Sequence, residues 1–425
     1  MDRWIGVVGI AVILLFAVLL SYSPKKINIR TVASGLILQM LIGVVLLKWE
    51  TGNLFMQWVA GKVTSFLNLG YQGSHFLFGN IVDPQHFGTF GFQFAFSVLP
   101  TIIFFASFMS FLYYLGVMQH VVKAFAWLMQ KIMGTSGAES LSCSANVFLG
   151  QTEAPLLVRP FLPGATKSEL CAIMVGGFGT IAGSVMAGYI QMGVPAAHII
   201  IASCMAAPGS LMIAKIILPE TEKSETLGSV HMPKLNVGSN VLDAISHGTT
   251  DGLHLALNVA AMLVAFIALI AFADKVLLNF DHWIDGSLVK GVQMANGEFA
   301  GYFPGSLKTL FGSILAPIVW LMGVPQADLN TVGGLLGIKL AANEFVAYAN
   351  LSPMIKSGLI SSKAGIMATY MLCGFANFAS IGIQIGGISA LAPNRRSDLA
   401  KLAFRAMLGG ALVSCMTATI AGLLL

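Results

Sequence analysis

Residues 140–162 read SLSCSANVFLGQTEAPLLVRPFL, inside a chain that is 56% hydrophobic and only 10% charged. The stretch carries Asn146, Gln151, Thr152, Glu153 and Arg159, and it is interrupted by Gly150 and Pro155. A lipid-facing helix tolerates neither the charges nor the breaks. Hydrocarbon has no water for a carboxylate, and placing one at mid-bilayer costs at least about 2.5–3.5 kcal/mol. Irregular backbone survives at that depth only when buried in protein or lining a wet cavity. The stretch therefore predicts a re-entrant hairpin whose tip, around Gly150 to Pro155, presents polar groups to a ligand.

The rest of the chain agrees with a membrane setting. Soluble domains carry about 25% charged residues. At about 20 residues per span, 425 residues give roughly eight to ten hydrophobic elements, a polytopic membrane protein. Forty-six glycines suit close helix crossing. The net charge of +5 is spread over loops and marks cytoplasmic loops, not a nucleic-acid partner. Cys143, Cys171, Cys204, Cys373 and Cys415 sit in apolar segments without metal-type spacing, as small buried hydrophobes.

Residues 4–20 form a first span, read as retained because no A-x-A site precedes Ser23. Lys25, Lys26 and Arg30 follow it, a basic cluster that places this end in the cytoplasm and the N-terminus outside. Residues 32–47 return across. Residues 51–73 and 120–133 are amphipathic and predict interfacial helices, with a loop over 74–91 and an aromatic-rich span over 92–115 between them. After the hairpin, residues 170–190 contain Gly176, Gly177, Gly179, Gly183 and Gly188 beside Thr180 and Ser184. So much glycine predicts a helix that breaks in mid-membrane, as in transporters whose half-helices aim their ends at ions or substrate. Residues 196–218 are an ordinary span. Residues 219–240 are the longest hydrophilic stretch. Residues 241–254 are mixed and lead into a span at 255–272, with His254 packed or interfacial. Residues 281–305 read as polar interface or loop, and 307–322 as a short apolar element.

The opening anomaly then recurs. Residues 328–351, DLNTVGGLLGIKLAANEFVAYANL, place Lys339, Asn343 and Glu344 where a span should be clean, predicting a second hairpin. Residues 364–385 follow, with Gly374–Phe375–Ala376–Asn377, Ser380 and Gln384 inside them. The first unit has Thr152–Glu153 and then Gly177–Phe178–Gly179–Thr180; the second has Asn343–Glu344 and then the 374–377 break. Paired interrupted segments in matching halves point to a transporter's midplane site, here as an inverted repeat. Arg395, Arg396, Lys401 and Arg405 form a second cytoplasmic marker before a last span at 408–425 that ends outside. Lys339 and Arg159 read as structural. The expected units are 1–91 (N-terminal spans), 92–133 (scaffold), 139–218 (transport unit with the first hairpin), 219–322 (loop and scaffold) and 328–425 (transport unit with the second hairpin).

Together NVFLGQTEAPLLVRPFL, the glycine-rich span after it, GIKLAANEFVAY and CGFANFASIGIQIGG resemble the concentrative nucleoside transporter family. The four motifs occur in the family's order, and the resemblance runs from about residue 92 to the end. It implies an all-α polytopic protein of eight transmembrane helices, two re-entrant helical hairpins and interfacial helices. It also implies a homotrimer in the bacterial inner membrane, with both termini outside the cytoplasm. The base of the nucleoside would meet Gln151, Thr152, Glu153 and Val185, with Phe375 against it; Glu344, Asn377 and Ser380 would hold the ribose. The chemistry of these residues suits those roles: amide, hydroxyl and carboxylate for the base edge, an apolar and aromatic wall, and acceptors for sugar hydroxyls.

Sodium wants oxygen ligands, and the family's sodium positions fall on the side chains of Asn146 and Thr180 and the carbonyls of Leu149 and Ile181. Serine is common in the family at Thr180, and threonine keeps the oxygen. The implied function is sodium-coupled import of nucleosides such as uridine by an elevator-type movement, with scaffold spans near 92–115 and 255–272. In a proton-coupled variant, Glu153 or Glu344 would carry the proton. Two site carboxylates argue against an anionic solute. HExxH, G-x-S-x-G and P-loop motifs are absent from the sequence, against an enzyme. A channel would show flux without saturation or stoichiometric coupling.

Overall fold

The computed structural model describes residues 2–86, 89, 91–228, 238–294 and 296–425. Residues 87, 88 and 90 of the expected 74–91 loop, 229–237 of the hydrophilic stretch and 295 of the expected 281–305 segment lie outside them. Among the described residues every regular element is helical, apart from one antiparallel bridge between Gln293 and Phe299. Among the described residues six helices are long and apolar enough to cross a membrane: Ile29–Lys48, Phe94–Tyr114, Lys167–Met192, Ala196–Ile217, Val241–Leu288 and Pro393–Leu424. Trp4–Leu19, Leu307–Leu321 and Phe378–Leu391 are shorter apolar helices.

Both hairpins form. The first descends as Gly137–Ala145, opened by a Ser136–Glu139 capping box, and returns as the 3₁₀ helix Ala154–Gly164. Pro155, Pro160 and Pro163 lack N–H donors and crowd an α-helical turn, so the return limb cannot be a regular α-helix. The second hairpin is Leu329–Ala341 and Glu344–Ser357, with Asn343 accepting from the Val346 N–H to start the return limb. Both glycine-bearing spans break where expected. Lys167–Gly179 stops at Thr180 and resumes as Gly183–Met192. Ser362–Leu372 stops at Cys373 and resumes as Phe378–Leu391. In the second break Gly374 takes φ +147°, a region that side chains disfavour.

The two units point in opposite directions. The base of the first hairpin lies beside the Lys167 end of the first broken helix, where the Ser136 hydroxyl donates to Glu169 at 2.6 Å. The base of the second lies at the Met192 end, where Ser352 Oγ and Lys356 Nζ donate to the Met192 carbonyl. Reciprocally, Arg395, past the far end of the second broken helix, donates to the carbonyls of Pro163 and Ala165 at the base of the first hairpin.

Burial separates two layers. The most apolar window of Lys167–Met192 is 100% buried, whereas that of Val241–Leu288 is 6% buried. Leu257, Val264 and Phe272 on the latter are more than half exposed, a surface that suits lipid or another apolar chain and not water. This outer helix crosses Leu99–Tyr114 at a GxxxG pair. A Cβ on Gly248 would lie 2.8 Å from the Ala106 carbonyl, and one on Gly252 2.8 Å from Ile103 Cα. Small residues here let the backbones approach. Ser110 Oγ donates to the Ala244 carbonyl at 2.7 Å and Ser107 meets Thr249 at 2.9 Å.

Four expectations about element boundaries change. Residues 241–254, expected as a mixed segment before a separate span, belong to one unbroken 41-residue helix, Val241–Asp281. The 281–305 segment, expected as polar interface or loop, begins as a continuation of that helix, a π turn over His282–Leu288. At 1.5 Å per residue the 41-residue helix is roughly 60 Å long, about twice the hydrocarbon thickness. The polar residues of its first turns sit beyond the apolar stretch and do not stop it, because Gly248 and Gly252 are packed rather than free. The basic cluster at 393–405 is also helical: Pro393–Arg395 leads straight into Arg396–Leu424, and Arg405 lies 3.9 Å from the centre of the Tyr22 ring. Residues 51–73 become two helices, Glu50–Leu67 and Leu69–Phe78. Val117–Met133 buries Met118, Val122, Ala126, Met129 and Met133 along one face, the amphipathic pattern its sequence shows.

Candidate functional site

The hairpin tips and the two breaks converge. Phe375 N–H donates to the Thr180 carbonyl at 3.1 Å, so one break lies directly against the other. Glycine permits this approach: a Cβ on Gly374 would come within 2.8 Å of the Phe178 carbonyl. A Cβ on Gly177 would lie 2.6 Å from Gln384 Nε2 and 2.9 Å from Gln151 Cβ, so the first tip also seats against a bare backbone.

Six residues then form one connected hydrogen-bonded chain across both repeats. Gln384 Nε2 donates to Gln151 Oε1 at 3.1 Å, and Gln151 Nε2 donates to Ser380 Oγ at 3.2 Å. The Ser380 N–H donates to Asn377 Oδ1 at 2.9 Å, and Asn377 Nδ2 donates to Glu344 Oε2 at 3.0 Å. The Tyr189 hydroxyl donates to the other carboxylate oxygen at 3.0 Å. All six residues are buried. Among the described residues no ion pair satisfies Glu344; its partners are neutral donors. Each carboxylate oxygen therefore retains acceptor capacity beyond the bond it already makes.

Gln151, Glu344, Asn377 and Ser380 are thus brought together. Thr152 and Glu153 stand on the same turn but outside this chain. A Cβ on Gly387 would lie 2.8 Å from Thr152 Cγ2, so Thr152 packs on the second broken helix. Glu153 is exposed and accepts the Gly150 N–H at 3.1 Å, folding back on its own loop. Val185 and Phe375 are buried, 3% and 9% exposed, with no side-chain bond to the chain of polar groups. Tyr189 is absent from the expected site, and Gln384, singled out inside the second broken span, has no expected role there. Each had a signal: Tyr189 lies four residues after Val185 and Gln384 four after Ser380, on the same helix faces.

Beside this centre the tip of the first hairpin meets the first break. Asn146 is fully buried, and neither atom of its side-chain amide has a hydrogen-bond partner. An unpaired buried amide costs about 1–3 kcal/mol, so the position calls for a ligand. A Cβ on Gly176 would lie 3.3 Å from Asn146 Nδ2, which places that amide against the end of the first half-helix. There Thr180 Oγ1 donates to the Gly176 carbonyl at 2.7 Å, leaving its lone pairs free to accept. The Gly183 N–H donates to the Phe148 carbonyl at 2.9 Å and ties the tip to the break, bringing Leu149 and Ile181 to the same neighbourhood. Among the described residues no three His, Cys, Asp or Glu side chains cluster as metal ligands. A hydroxyl, an amide oxygen and carbonyls suit a hard cation and not a transition metal.

Opposed hairpins and broken helices around a buried polar centre define a multi-pass membrane transporter. Residues 8–81 match the N-terminal part and residues 198–422 the C-terminal part of the Na+ dependent nucleoside transporter, and residues 95–196 match the nucleoside recognition (Gate) model. The chain belongs to the Na+-dependent, concentrative nucleoside transporter family. It is 43% identical to an uncharacterised transporter of Haemophilus influenzae over 98% of this chain and 97% of that one. It is 40% identical to the rat sodium/nucleoside cotransporter 1 over 100% of this chain and 64% of the rat protein. Its fold matches CNTnw in an inward-facing substrate-bound state with a TM-score of 0.91 and 40% identity, covering 100% of this chain and 98% of that one. A CNTnw variant in an outward-facing state matches equally, with a TM-score of 0.91, 40% identity and the same coverage. These relatives are transporters, and the chain is a transporter and not an enzyme.

Proposed function

We propose that the chain imports nucleosides such as uridine by sodium-coupled symport. The observation that carries this reading is the single hydrogen-bonded chain from Gln384 to Tyr189, which spans both hairpins and both broken helices. A nucleoside bridging the two repeats fits that arrangement. Gln151, Thr152 and Glu153 offer donors and acceptors to the base, with Val185 and Phe375 as its wall. Glu344, Asn377 and Ser380 take the ribose hydroxyls. Sodium is cargo, held by the side chains of Asn146 and Thr180 and the carbonyls of Leu149 and Ile181. Its charge offsets the carbonyl ends that meet there.

The moving unit comprises residues 139–218 and 328–425, and residues 92–133 and 219–322 hold the scaffold. The contrast between a buried inner bundle and an exposed outer layer supports this division, as does the likeness to CNTnw in outward-facing, intermediate and inward-facing states. The exposed apolar scaffold face suits a homotrimer in the inner membrane. Tyr22 donates to the Lys401 carbonyl at 3.2 Å and stacks under Arg405, which puts the two basic clusters on one side. That side is the cytoplasm, with both termini outside.

Purified protein in liposomes should accumulate labelled uridine when sodium is higher outside, and should stop when choline replaces sodium. Asn146→Ala should raise the sodium concentration needed for half-maximal uptake by about tenfold or more, as loss of an oxygen ligand worth about 1.4 kcal/mol. Uptake unaffected by choline but driven by a proton gradient would replace sodium with protons.

A further inference from the structure

Lys339 is 0% exposed, deep in the second hairpin, and among the described residues no ion pair links it to a carboxylate. Its ammonium donates instead to the Met371 carbonyl at 2.8 Å and to Ser414 Oγ at 2.9 Å. Ser414 in turn lies 2.9 Å from the Cys373 carbonyl oxygen. These acceptors cluster where Ser362–Leu372 ends, at the second break.

The same construction occurs in the first repeat without a basic side chain. Gly137–Ala145 and Lys167–Gly179 end close together, at Asn146 and Thr180. In the second repeat Leu329–Ala341 and Ser362–Leu372 end close together, with Lys339 in the last turn of the former. Each helix C-terminus carries about half a negative charge, so a cation is favoured where two of them meet in a buried place. Residues 137–158 and 168–192 contain no Lys or Arg to supply it. The first repeat instead offers the unpaired Asn146 amide.

We propose that the Lys339 ammonium is the tethered counterpart, in the second repeat, of the exchangeable cation in the first. The pair of repeats then takes up one ion and not two. This rests on the reading of the Asn146 region as the sodium site. A lysine at this point also moves with the hairpin, so its charge stays with the helix ends through every conformation.

The experiment is sodium dependence of labelled-uridine uptake in proteoliposomes, for the full chain and for variants at Lys339. The unaltered protein should give a hyperbolic curve, with a Hill coefficient of about one. Lys339→Ser empties the position of charge and leaves space, so its curve should turn sigmoidal and need at least about tenfold more sodium. Lys339→Arg, which keeps the charge, should retain more activity than Lys339→Gln, which keeps length and a donor but is neutral. A Lys339→Ser curve that stays hyperbolic with unchanged half-saturation overturns the proposal. If Lys339→Ser yields no folded protein, a Gln variant as active as the Arg variant overturns it instead. A flat sodium curve for the unaltered protein marks failure of the sodium reading itself, and the proposal falls with it.

Discussion

Replacing Glu344 by Gln tests the sugar half of the site. The carboxylate accepts from Tyr189 on one oxygen and from Asn377 Nδ2 on the other, both at 3.0 Å. An ionised carboxylate offers about four lone-pair directions, so each oxygen has one left for a ribose hydroxyl. The amide keeps a single oxygen. Its NH2 must then face either Asn377 Nδ2, donor against donor, or the Tyr189 hydroxyl. Either way one charge-assisted bond to the sugar is lost and the other weakens. A hydrogen bond to a charged group is worth about 1.5–3 kcal/mol, or roughly 12- to 140-fold in affinity. Competition against labelled uridine uptake at saturating sodium, by uridine and by 2′,3′-dideoxyuridine, measures this. In the unaltered protein the dideoxy compound should compete more weakly by about that factor. In Glu344→Gln uridine should fall most of the way toward the level of the dideoxy compound, whose own affinity barely changes. A variant that keeps its preference for uridine, or weakens both compounds equally, refutes the assignment of Glu344 to the ribose.

Tyr189→Phe leaves the Glu344 carboxylate positioned by Asn377 alone, and should weaken uridine by about fivefold or more with little effect on dideoxyuridine, read in the same competition assay. Lys215 Nζ lies 2.7 Å from Glu139 and 3.3 Å from Glu220, nearly buried at the base of the first hairpin. Lys215→Met strands the buried Glu139 carboxylate and should cost about 3–5 kcal/mol in thermal unfolding. Adding Glu139→Gln should restore part of that loss, because the uncompensated charge is then gone; strictly additive losses would show that the pair is not coupled.

Much of the candidate site was legible before any fold was known. Glu153 and Glu344 announced the hairpins because a carboxylate inside an apolar run has no stable place against lipid. Pro155 marked the interruption of the first hairpin, and the fold adds that Pro160 and Pro163 also keep its return limb from being a regular α-helix. Gly374 and the glycines around Thr180 marked both breaks. These are local statements, set by what one side chain or one φ angle permits, and a sequence carries them in full.

The tertiary structure alone decided which of those polar residues meet. Gln384 and Gln151 lie 233 residues apart, and Tyr189 and Glu344 lie 155 apart. Their pairing depends on the bare faces of Gly177 and Gly374, which let one break press on the other. Glu153, alike in sequence to Glu344, instead folds back onto the Gly150 N–H. Composition likewise divided residues 241–272 into two pieces. Packing joined them into one helix, because Gly248 and Gly252 seat against a neighbouring span that no local pattern could name. Cost of burial is written residue by residue along the chain; which partner offsets that cost is a property of the packed whole.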